Sequence, residues 1–135
     1  MICAGPVLAT NVDRGAVVAS INTLRATKNL TGLQYSTKLE KVARRHAEDM
    51  ARNGFFSHTG SDGSGIGTRL IRSGYGWCTA AENIASGQRT LAEVMRSWSR
   101  SPGHRKNMLN KKISEFALVQ TSDKIWVMVL AQPGC

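Results

Sequence analysis

Lys124-Ile125-Trp126-Val127-Met128-Val129-Leu130 decides the fold class. Successive side chains of a strand point to opposite faces. One face here carries Ile125, Val127 and Val129, the other Trp126, Met128 and Leu130. A strand that is apolar on both faces must be covered on both. Just upstream, Phe116–Thr121 reads as a second strand, joined to the first by Ser122-Asp123, a connection of hairpin length. The covers must come from the helical segments earlier in the chain. The expected class is therefore α/β: a three-layer α/β/α sandwich with a small antiparallel sheet between helices.

Those helical segments are legible. Val17, Ile21 and Leu24 recur at helical spacing within a helix expected over 12–28, closed by Asn29-Leu30-Thr31-Gly32. Thr37-x-x-Glu40 has the form of a capping box. The helix it opens carries Leu39, Val42, Ala43, His46, Ala47 and Met50 on one face and stops at Asn53-Gly54, where glycine tolerates the left-handed conformation. Residues 57–67 are too rich in Gly and Ser for periodic structure, and a short helix is expected over 68–73. Ala80–Ala85 fits either a short strand or an extended loop. Thr90 and Glu93 open another helix, which breaks near Ser101. Ser101-Pro102 then restarts helix, with Ser as cap and Pro in the first turn, where its missing N–H costs nothing.

The 135 residues show no composition break or repeat, so one domain over 1–135 is expected, with 1–12 as a loose N-terminal segment. No apolar run of about 18 residues occurs, which excludes a membrane-spanning helix of ordinary length. The first six residues lack the basic and apolar regions of a signal peptide. Eighteen Lys and Arg against nine Asp and Glu give +9, a balance that favours acidic partners. Cys3, Cys78 and Cys135 allow at most one intramolecular bridge. Cys135, following Gln132-Pro133-Gly134, has the position of a staple for the chain end, which implies an oxidising compartment; three free thiols in a reducing one is the alternative. No C-x-x-C pair and no neighbouring Cys and His point to a zinc knuckle.

Four positions could carry chemistry. His58 follows Phe55-Phe56, two aromatics that can anchor a loop at a cleft rim. Glu82 stands among small and apolar residues, where a carboxylate needs a cation or a cleft floor. His104 lies in a first helical turn beside Arg105 and Lys106, an environment that favours neutral imidazole, the form a metal ligand or general base requires. His46, on an apolar helix face, reads as a core residue. Spacing alone does not bring the other three together.

In order, Gly54-Phe55-Phe56-Ser57-His58-Thr59, Ala81-Glu82-Asn83-Ile84-Ala85 and Trp98 to Leu109 resemble the CAP superfamily, which includes cysteine-rich secretory proteins, venom antigens and plant pathogenesis-related proteins. The likeness spans about residues 15 to 132, and the sequence is similar to the compact bacterial members. It implies an α/β/α sandwich whose central cleft gathers His58, Glu82 and His104, with zinc or another divalent cation held by the two histidines and possible participation of Glu82. Where animal and plant members carry a second acidic residue, three positions after the tryptophan, this chain has Ser101. Losing that carboxylate weakens the case for acid–base hydrolysis.

The functional expectation is a secreted or periplasmic monomer whose cleft binds a divalent metal or a small lipid-like ligand without dedicated catalysis. The alternatives are a metal-assisted hydrolase with Glu82 as base, and a cationic binder of anionic membrane or cell-wall polymer. The absence of a nucleic-acid motif argues against a specific nucleic-acid partner.

Overall fold

A computed structural model describes residues 9–135, with side chains from Val12 onward. Its elements are β1 (Ala9–Asn11), α1 (Arg14–Ala26), β2 (Gln34–Tyr35), α2 (Thr37–Asn53), α3 (Ile66–Arg72), β3 (Trp77–Ser86), α4 (Leu91–Arg100), α5 (Pro102–Met108), β4 (Glu115–Thr121) and β5 (Ile125–Pro133). The sheet runs β1-β4-β5-β3 with antiparallel neighbours, while β2 pairs in parallel with the first residues of β4.

The two faces of β5 sort as their alternation demands. Trp126, Met128 and Leu130 pack with Val17 and Ile21 of α1 and with Val94, Met95 and Trp98 of α4. Val127 and Val129 pack instead with Leu39, Val42, Ala43, Ala47 and Met50 of α2 and with Leu70 of α3. The three-layer α/β/α sandwich is thus built around the strand that predicted it.

Several boundaries differ from expectation, each for a local reason. Asp13 caps α1 by accepting from the Ala16 amide, so that helix begins after residue 12. The cap of α2 is Ser36, extended at φ −116° and bonded to the Leu39 amide, rather than Thr37. Glu40 does not reach back to complete a capping box. It is buried, takes a two-pronged bond from Arg14, and is also bonded by Arg44 and Tyr35, which ties α2 to α1 and β2. The hairpin between β4 and β5 needs three residues, Lys124 having the positive φ of 61° that closes the turn. The ambiguous stretch 80–85 lies inside a full ten-residue strand. Of the segment expected to be loose, residues 9–11 pair with β4 as β1; residues 1–8 lie outside the described residues.

Two further ties position the site. Buried Arg25 donates to the carbonyls of Thr31, Met108 and Asn110 at 2.8, 2.9 and 3.0 Å, capping the end of α5 from α1. Cys78 at the start of β3 is bridged to Cys135, with Cα atoms 4.9 Å apart, so the staple at the chain end is present; Cys3 lies outside the described residues.

Candidate functional site

β3 carries Glu82 into the interior opposite Val129 of β5, and its side chain is 2% exposed. A buried carboxylate must be hydrogen-bonded and charge-compensated. Glu82 meets both demands through two neighbours: Oε1 lies 2.9 Å from Nδ1 of His58, and Oε2 accepts from Arg69 at 2.8 Å. Arg69 does more. Its other terminal nitrogen donates to the carbonyls of His58 and Ser64 at 3.0 and 2.6 Å. One guanidinium therefore fixes both the carboxylate and the loop that carries His58.

The same loop is held from α2. Nε2 of His46 donates to the Ser57 carbonyl at 2.8 Å, and the His46 ring meets Phe55 edge-on at 6.3 Å. His46 is buried, as its place on the apolar face of α2 requires. The aromatic pair divides: Phe55 packs against the core, whereas Phe56 is 54% exposed.

His104 arrives on α5. Nδ1 shares a 2.8 Å hydrogen bond with the Ser101 hydroxyl, and Ser101 makes no side-chain cap to the helix backbone. The hydroxyl expected to cap α5 is thus spent on orienting the imidazole. Behind it, Asn83 donates to the His104 carbonyl at 3.1 Å and accepts from Asn107 at 2.9 Å, coupling β3 to α5 one residue beyond Glu82. Trp98 donates to the Ile84 carbonyl, fixing α4 against the same strand.

The electrostatics differ between the two rings. The hydrogen bond to Glu82 raises the His58 pKa above the usual imidazole value; burial and the Arg69 charge oppose it, and the Glu82 charge adds to it. Burial lowers that of His104, and the charge of His58 lowers it further. The direction agrees with a neutral His104, but the cause is burial and the His58 charge rather than the helix terminus and its basic neighbours.

Among the described residues, no group of three or more His, Cys, Asp or Glu side chains gathers as a metal cage. Both Glu82 oxygens are engaged, so the carboxylate sits behind His58 rather than beside it as a third ligand. What remains open is Nε2 of each imidazole, since each ring spends Nδ1 on the protein. A carboxylate on the far nitrogen of an imidazole is the outer-shell arrangement that orients metal-binding histidines. Nε2 is therefore the nitrogen on each ring that could take a divalent cation. Of the residues named from sequence, the structure brings His58 to Glu82 and His104 to Ser101; Arg69, which no motif marks, was not among them.

Comparison with known proteins places the chain. The model of the cysteine-rich secretory protein family, CAP, matches residues 18–128. The chain is 38% identical over 112 residues to the uncharacterized protein YkwD of Bacillus subtilis, covering 82% of this chain and 43% of that protein. A crystal structure of an extracellular protein containing a SCP domain, from Bacillus anthracis, superposes with a TM-score of 0.82 at 30% identity, covering 87% of this chain and 39% of that one. An outer surface protein of Borrelia burgdorferi gives the same TM-score at 24% identity, over 94% of this chain and all of that one, a likeness of fold. The chain thus spans less than half the length of YkwD and of the Bacillus anthracis protein.

Proposed function

The chain belongs to the cysteine-rich secretory protein (CAP) family, and we propose that within it the chain serves as a binding module outside the cytoplasm, its cleft taking a divalent cation on Nε2 of His58 and His104. The observation that carries this is the 2.9 Å contact between Nδ1 of His58 and the buried Glu82 carboxylate. A proton placed on Nδ1 leaves the lone pair on Nε2, the form that ligates. The Ser101 hydroxyl can accept from Nδ1 of His104 and leave that ring in the same state. Two protein ligands leave coordination positions for water or a further ligand, so binding is weak and exchangeable. Glu82 orients His58 and neutralises Arg69, and a carboxylate held in both roles is a poorer general base, which weighs against a hydrolase. The extracellular Bacillus anthracis relative and the Cys78–Cys135 bridge support the location.

The test is a calorimetric zinc titration of wild type, His58→Ala and His104→Ala. The expected result is a wild-type signal lost in both variants and weakening as pH falls, because protons compete for the His58 ring whose affinity for them Glu82 increases. Identical traces in all three proteins contradict the proposal.

A second reading rests on a separate observation. Residues 89–112 contain Arg89, Arg96, Arg100, Arg105, Lys106, Lys111 and Lys112 against Glu93 alone, +6 of the chain's +9. None of these cations is in an ion pair among the described residues. The face formed by α4 and α5 beside His104 therefore suits an anionic surface. A small lipid-like ligand would find its apolar contact in exposed Phe56, two residues before His58.

A further inference from the structure

Between α2, the loop that follows His58 and α3 lies a cavity of about 320 Å³, whose lining includes none of His58, Glu82 or His104. Two of its lining side chains carry a buried polar atom without a hydrogen-bond partner, Nδ1 of His46 and Nε of Arg69. A buried polar atom left unpaired is costly. Their chemistry is complementary. Nε2 of His46 faces a carbonyl, which can only accept, so the proton sits there and Nδ1 presents a lone pair. Burial holds this ring below the usual imidazole range, opposed by the Glu82 carboxylate and helped by the Arg69 charge. Nε–H of Arg69 can only donate. The two side chains flank one carboxylate: Arg69 is 2.8 Å from Oε2 of Glu82, and His46 Nε2 is 3.7 Å from Oε1. The two vacancies are complementary, one accepting and one donating, so a hydroxyl that reached both would accept from Arg69 and donate to His46.

The rest of the lining says what kind of molecule brings that hydroxyl. Three guanidiniums (Arg45, Arg69, Arg72) balance three carboxylates (Asp49, Asp62 and, behind Arg69, Glu82), so neither an anion nor a cation is favoured. The lining carboxylates are not free for a metal. Asp49 accepts from Asn53 and the Ser61 amide at 2.7 and 2.9 Å, and Asp62 from the Ser64 amide and Arg72 at 2.9 and 2.5 Å. Each keeps lone pairs for a hydroxyl donor. Arg45 is exposed and in no ion pair among the described residues. The volume stands near the lower end of small-molecule sites, about 300–1,000 Å³, and is about ten times a water's share of liquid. The loop is closed on itself by Gly60 N–H to Ser64 O and Gly63 N–H to Gly60 O, both 2.9 Å, which fixes the carboxylates before any ligand arrives.

We propose that this cavity is a second binding site, for a neutral polyhydroxylated ligand such as a saccharide unit, with one hydroxyl bridging Arg69 and His46 and others meeting Asp49, Asp62 and Arg45. The test is an NMR titration of the full chain with D-glucose, N-acetylglucosamine and myo-inositol, reading the amides of residues 60–65 and the Arg69 Nε–H signal. At least one probe should give saturable shifts at both places. Arg45→Ala, a change at an exposed side chain, should weaken binding about tenfold, the loss of one charge-assisted hydrogen bond. Ser73→Trp, which fills the cavity from its lining, should abolish it. Saturable shifts in no case, or equal affinity in Arg45→Ala and wild type, overturn the proposal; should Ser73→Trp lower the melting temperature, Arg45→Ala alone decides.

Discussion

Glu82 is the residue on which the cleft turns, because it compensates Arg69, bonds His58 and lies 3.7 Å from His46 at once. Removing one member of a buried ion pair leaves the other charge uncompensated, at a cost of about 3–5 kcal/mol. Glu82→Gln should therefore destabilise the fold by that order in denaturant unfolding, since both Glu82 and Arg69 side chains are nearly buried. It should also bring the His58 titration back down, because the Glu82 bond is the largest cause of its rise. An unchanged unfolding midpoint with an unchanged His58 titration would mean that the carboxylate is not where the charge balance puts it. At this scale the sequence announced His58, Glu82 and His104 through their motifs. Arg69 stayed hidden, one basic residue among eighteen, because its partners come from β3 and from the preceding loop and only tertiary closure selects it. Ser101 was noticed for the carboxylate it replaces, whereas its hydroxyl proves to be the support of His104.

The elements differ in how openly the sequence declares them. β5 is plain because two apolar faces allow only one placement, and α2 because a single apolar stripe runs from Leu39 to Met50. β3 is ambiguous in sequence since Ala80 and Ala81 are small and only half buried, and its pairing with β5 supplies what propensity does not. β1 and β2 have three and two residues, too few for any alternation to show. The far end of β3 is secured by the Cys78–Cys135 bridge, which closes a loop of 57 residues. In the chain-entropy model such a bridge stabilises by about 4 kcal/mol. Reduction, or Cys135→Ser, should lower the melting temperature accordingly, and no change on reduction would show the end of β5 to be held by its ladder alone.

For the molecule as a whole, charge and architecture are separable. The sandwich follows from apolar pattern and needs none of the seven cations in residues 89–112, which no ion pair holds among the described residues. Each basic side chain near an anionic lipid surface is worth about 1 kcal/mol. Arg100→Glu with Lys106→Glu and Lys111→Glu should abolish binding to vesicles containing phosphatidylglycerol. The same charge change at exposed Lys28, Lys38 and Lys41 should leave most of it. Equal loss in both would reduce the effect to net charge. The likeness to known proteins was readable from three short motifs because each is a contiguous run of sequence, while the donors around Glu82 were not, since they depend on side chains that meet only in the folded chain.

The most direct test of the cleft is a long-range proton–nitrogen NMR spectrum of its imidazoles above their titrations, with and without zinc. The account predicts the proton of His58 on Nδ1, facing Glu82, and zinc-dependent shifts at Nε2 of both His58 and His104. A His58 proton on Nε2, or Nε2 signals that zinc leaves in place, would contradict it.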